Sequence, residues 1–142
     1  MVATSIDNRR SGSNNRAMTK PEAVRRIKSY SAANGYVYQY YFNELNRVSA
    51  DGREAGEFVY AISVDRGASF GLRILVMHAA LEAWAATNGR SLTASEEYAV
   101  AKMRLFQAFD GGEVPLTAED AREVRLVVDE TNLEELLRSL DI

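Results

Sequence analysis

Five of the seven residues from Tyr36 to Phe42 are aromatic, and aromatic rings can stack on other rings. In a β-strand, alternate side chains share a face, so Tyr36, Tyr38, Tyr40 and Phe42 form one row. Rings on adjacent strands can stack unpaired bases. However, a ring buries ~150–250 Å², worth roughly 4–6 kcal/mol at ~25 cal/mol per Å². We therefore expect this row to lie in the core, with tyrosine hydroxyls at its rim.

Basic side chains precede the aromatic row and offer phosphate contacts. Arg25, Arg26 and Lys28 could combine with Tyr36, Tyr38 and Tyr40 into a nucleic-acid site. Residues 1–47 contain eight Lys or Arg against three Asp or Glu, whereas residues 48–142 contain nine against seventeen. This asymmetry indicates either a basic segment for an anionic partner or two halves that attract each other. The overall charge of −3 does not favour nucleic acid.

Catalytic and metal-binding chemistry has little support in the sequence. The chain has no Cys, which excludes disulfides, thiolate zinc sites and cysteine nucleophiles, and His78 is its one histidine. Adjacent acids do not face each other on a helix, and each acidic pair falls where a helix begins. These pairs are Glu96-Glu97, Glu119-Asp120 and Glu134-Glu135. We therefore predict a protein that is not an enzyme and has no metal or cofactor.

The last apolar residues follow a helical spacing. Leu133, Leu136, Leu137 and Leu140 recur at i, i+3, i+4 and i+7, the pattern of an amphipathic helix. Such a stripe either packs on its own domain or docks on a partner. We treat these four leucines as the candidate partner-binding residues.

The elements that would position these residues begin after a polar segment. Residues 1–18 contain almost nothing apolar, so we expect a disordered basic arm followed by a single domain over residues 19–142. Thr19, Pro21 and Glu22 are typical of a helix start, and helical spacing continues to Ala33. A first strand is expected over residues 36–46.

The next segment is expected to form two further strands. Asp51-Gly52 predicts a turn, and a second strand follows over residues 57–65. Residues 70–88 fit one helix or a strand followed by a helix. We favour a strand to Met77 and a helix from His78, because Gly71 weakens a long helix.

The remaining chain is expected to be mainly helical. Thr93 and Glu96 form a capping box for a helix that ends near Phe109. Thr117 can cap a further segment, and residues 124–128 fit either helix or short strand. The predicted fold is α+β, with a three-stranded antiparallel meander packed by helices in the order α-β-β-β-α-α-(α)-α and an amphipathic C-terminal helix.

The function predicted from these features is protein–protein interaction, as an adaptor or regulatory domain, with self-association as one form. The alternative is a nucleic-acid-binding module that uses the basic first helix and the tyrosine-rich face. Residues 1–20 lack an apolar signal core, and Arg73, His78 and Glu82 interrupt the longest apolar run. We therefore expect a cytoplasmic protein with no membrane partner.

Overall fold

A computed structural model describes residues 26–142. Its strands are β1 (Lys28–Ser31), β2 (Val37–Ala50), β3 (Arg53–Val64), β4 (Phe70–Met77) and β5 (Leu126–Val128). Its helices are α1 (His78–Asn88), α2 (Ala94–Asp110), α3 (Ala118–Ala121) and α4 (Leu133–Ser139). The α+β class is confirmed. The prediction of three strands is wrong, because one sheet in the described part of the chain has five strands in the order β1-β2-β3-β4-β5.

The predicted meander is the centre of this sheet. β2, β3 and β4 pair antiparallel in sequence order, and β1 pairs antiparallel with the outer edge of β2. β5 pairs parallel with β4 at the other edge, after a crossover through α1, α2 and α3. Two edge strands therefore extend the predicted three.

The predicted helix over residues 19–33 is wrong in its described part, where β1 is found instead. Lys28–Ser31 pairs with residues 37–40 of β2, and Tyr30 lies opposite Tyr38. The Tyr30 ring also stacks on Phe106 of α2, with centroids 4.5 Å apart. Strand pairing and ring packing outweigh the helical spacing, which is a weak local preference. The start of the predicted helix and the expected arm over residues 1–18 lie outside the described residues.

The turn between β2 and β3 is the predicted one. Asp51 and Gly52 both have positive φ, 53° and 77°, as a two-residue hairpin turn requires. Both strands are longer than expected: β2 continues to Ala50, and β3 begins at Arg53. The ambiguous segment is a strand to Met77 and then a helix from His78, as we favoured.

The inner face of the sheet is the one that α2 covers. The capping box that opens α2 is present, with Thr93 Oγ1 accepting from the Glu96 amide and Glu96 Oε1 accepting from the Thr93 amide. α1 packs against β3 and β4, and α4 packs against α2. The largest fully buried side chains include Tyr38, Tyr60, Ile62, Leu72, Ile74, Leu105, Phe109, Leu136 and Leu137. Within residues 26–142, the helices are too short or too polar to cross a bilayer.

Candidate functional site

The aromatic row lies mostly inside the protein. Tyr38 and Tyr40 are 1% and 5% exposed, and Phe42 is half-buried. Tyr38 stacks on Phe109 with centroids 4.2 Å apart and an interplanar angle of 14°. Protein rings thus occupy the faces that a base would need. Tyr36, at 37% exposed, is the one member of the row that solvent reaches substantially.

The basic residues of the predicted nucleic-acid site are not gathered around open rings. Arg25 lies outside the described residues, and Arg26 is exposed just before β1. Lys28 lies on strand β1 rather than on the predicted helix, opposite Tyr40. The structure therefore brings Lys28 close to the aromatic row, but at the buried Tyr40 and not at Tyr36.

The four C-terminal leucines pack against the domain itself. Leu133, Leu136 and Leu137 are 3%, 0% and 1% exposed, and Leu140 is half-buried against the same core. The amphipathic helix is confirmed as α4, but its apolar stripe is already covered by this chain. A partner that docked there would find polar residues on the outer side of α4.

The outer edge of β2 is only partly covered in the part of the chain that the structure describes. β1 ends its pairing at Tyr40, although β2 is 14 residues long. None of residues 26–142 forms a strand on the outer side of β2 from Phe42 to Ala50. At about 3.3 Å per residue, this edge is roughly 30 Å long. We call residues 42–50 the free edge.

The side chains of the free edge combine apolar and charged groups. Leu45 is 54% exposed and projects from the inner face, opposite Phe58. Glu44 precedes Leu45 and Arg47 follows two residues after it, and a β-bulge lies between Phe42 and Glu44. Bulges and charges are common on edge strands because they limit uncontrolled pairing. The regular, pairing-competent part of the free edge is therefore Glu44–Ala50.

Sequence reasoning missed the free edge because it depends on where β1 stops. The only local signal was the change from aromatic to polar residues within one predicted strand. Leu45, the apolar member of that polar half, received no special role. Its exposure agrees with the lack of a neighbouring strand on its outer side among residues 26–142.

Cavities and acidic groups add little catalytic geometry. A cavity of about 430 Å³ lies between the Asp51 turn and β5, and its lining includes Leu75, Met77, Arg53 and Arg125. Arg90 and Thr93 lower the pKa of Glu96 to about 2, which suits a helix cap. Across residues 26–142 there is no group of three side chains able to hold a metal ion.

Comparison with known proteins gives no relative: no family model, curated protein or solved structure matches this chain. A proposal of function therefore depends on the geometry of this chain alone.

Proposed function

We propose that this protein is a non-enzymatic interaction domain that self-associates by pairing the free edge of β2 with the same edge of a second copy. The observation that carries the proposal is the extent of that edge. Unpaired backbone N–H and C=O groups along a strand are a template for another strand. Each group that gains a partner on association exchanges a water contact for a ladder hydrogen bond.

A second copy fits because the free edge is complementary to itself. In a two-fold antiparallel pairing centred on Asn46, Leu45 lies opposite Arg47 of the second copy. The aliphatic stem of an arginine can cover a leucine while its guanidinium stays in water. A pairing centred on Arg47 would instead place two like charges opposite each other, which is unfavourable. We therefore expect the Asn46 register.

The experiment measures the oligomeric state of the full chain by sedimentation equilibrium over a range of concentrations. We expect a reversible dimer for the natural protein. Leu45→Lys should be monomeric, because lysine on an edge strand opposes pairing. Leu116→Lys is the matched control, since Leu116 is also exposed, at 51%, and lies far from β2 in sequence. The control should remain dimeric.

The register can be tested with cysteine, because the natural chain has none. Neighbouring strands place opposite Cα atoms ~4.5–5.5 Å apart, within the ~4.4–6.8 Å that a disulfide spans. Asn46→Cys should therefore oxidise to a covalent dimer, whereas Ala79→Cys, exposed on α1, should not. A natural chain that stays monomeric at every concentration would refute self-association, and equal cross-linking of the two variants would refute the register.

A further inference from the structure

Two lysines, one on β1 and one on α2, lie near the ring of Tyr40. Lys102 lies on α2, half-buried, with its ammonium 5.9 Å from the centroid of Tyr40 and 5.8 Å from that of Phe106. Lys28 is directly opposite Tyr40 in the β1–β2 register, so its side chain leaves the same face of the sheet. The strand pairing and the helix packing thus place both side chains on the face of the sheet that carries the Tyr40 ring.

The charge at this position has no counterpart among the described residues. Within residues 26–142, neither Lys28 nor Lys102 forms an ion pair with a carboxylate. Burial lowers the pKa of Lys102, and the adjacent Lys28 lowers it further. Lys28 is exposed and Lys102 is half-buried, and their like charges repel each other. An anion between them would remove that repulsion.

Lysine is uncommon in this chain, so two lysines are not expected to lie close together by chance. The sequence contains three lysines, Lys20, Lys28 and Lys102, against fourteen arginines. Two of the three come together although 73 residues separate them in the sequence. Burial raises the pKa of Tyr40, and the nearby Tyr98, one helical turn before Lys102, raises it further. The Tyr40 phenol therefore stays protonated near neutral pH and keeps its hydrogen-bond donor.

We propose that Lys28 and Lys102 form a binding site for a phosphate-type oxyanion, held between β1 and α2 over the Tyr40 ring. A phosphate group carries about −1.5 to −2 charges near pH 7, so one group can neutralise both ammonium ions. Lysine binds phosphate as a point charge and does not need a bidentate geometry. This inference does not depend on self-association through the free edge.

The test is competitive acetylation of the full chain, with each lysine quantified by peptide mass spectrometry. The probe is inorganic phosphate, compared with sodium chloride at equal ionic strength. We expect phosphate to protect Lys28 and Lys102 severalfold while Lys20 keeps its reactivity. Protection by chloride to the same extent would show general screening and would overturn the proposal, as would equal protection of all three lysines.

Substitutions test whether Lys28 and Lys102 form the phosphate site together. Lys102→Met should abolish the protection of Lys28, and Lys28→Met should abolish that of Lys102. Lys20→Met removes the same charge at another position of the sequence and should leave both protected. Methionine retains the length and apolar character of the stem over Tyr40, and the near-ultraviolet circular dichroism of each variant confirms folding. Protection that persists in Lys102→Met would also overturn the proposal. Leu45→Lys should bind phosphate as the natural chain does, which separates this result from that for self-association.

Discussion

The first half of β2, residues 37–42, and its second half, residues 44–50, differ in how many neighbouring elements cover them among residues 26–142. The first half lies between β1 and β3 for most of its length, with α2 above it, and Tyr38 and Tyr40 are almost fully enclosed. The second half has β3 on one side and no described strand on the other, and Leu45 is 54% exposed. The same strand therefore supplies both core and surface.

The composition of the two halves follows this difference. Rings are concentrated where three neighbours can cover them, because each buried ring contributes several kcal/mol at about 25 cal/mol per Å². Glu44, Asn46 and Arg47 occupy the half that water reaches. We infer that the first half contributes chiefly to stability, whereas the proposed self-association depends on the second half.

Alanine substitutions in the two halves should show the largest contrast. Tyr38→Ala removes a ring that is 1% exposed and stacked on Phe109, so the free energy of unfolding should fall by about 3–5 kcal/mol. Leu45→Ala should change it by only about 0.5 kcal/mol, as is usual for surface positions. Urea unfolding followed by circular dichroism measures both. Similar losses for the two variants would contradict the contrast.

Two hydrogen bonds to Asp110 of α2 hold β1 and the residues after it beside the first half of β2. Tyr30 donates a hydrogen bond of 2.6 Å to Asp110 Oδ2, and the Ala33 amide donates one of 2.9 Å to Oδ1. Tyr30→Phe removes the first bond and leaves the ring on Phe106. Because this contact is exposed, we expect a loss of about 1 kcal/mol or less.

This contact should also respond to pH in a defined direction. The hydrogen bond to Asp110 and burial raise the pKa of Tyr30 to about 12, and the bond from Tyr30 lowers the pKa of Asp110. Its stabilisation is present below the ordinary tyrosine pKa of 10.0 and is lost as the pH rises through about 12. It is also lost as the pH falls below the usual range of an aspartate. The difference in Tm between the natural chain and Tyr30→Phe should therefore be greatest near neutral pH. A difference that persists above pH 12 would show that the phenol proton is not its source.

Local patterns were sufficient where an element is defined by neighbouring residues. The capping box at Thr93, the Asp51-Gly52 turn and the strand-to-helix change at His78 each depend on a few adjacent residues, and each is confirmed. The C-terminal helix was also predicted, because its leucine spacing is local. Which surface covers those leucines is a tertiary property that spacing alone leaves open.

Non-local pairing explains what the sequence did not predict. The segment around Tyr30 has helical spacing, yet it is a strand because β2 and α2 are beside it. β5 has three residues and depends on pairing with β4. The free edge and the Lys28–Lys102 pair have the same origin, since each depends on where β1 lies against residues distant in the sequence.

The smallest expected effect is at Tyr60, where the two halves of β2 meet. Tyr60 lies opposite Phe42 and is 0% exposed, and its hydroxyl has no hydrogen-bond partner among the described residues. Burial raises its pKa far above the ordinary value, with the neighbouring Tyr98 adding to the effect. A buried hydroxyl without a partner costs free energy, so Tyr60→Phe should leave stability unchanged or raise it by up to about 1 kcal/mol.

Tyr38→Phe is the matched control for Tyr60→Phe, because the Tyr38 hydroxyl accepts a hydrogen bond of 3.4 Å from Asn34 Nδ2. Its removal should lower the free energy of unfolding by about 0.5–1 kcal/mol. The two variants delete the same atom from rings that are equally buried, so only hydrogen bonding differs. A loss of more than about 1 kcal/mol for Tyr60→Phe would mean that Tyr98 bonds to this hydroxyl in solution. The junction of the two halves would then be held by a polar contact as well as by rings.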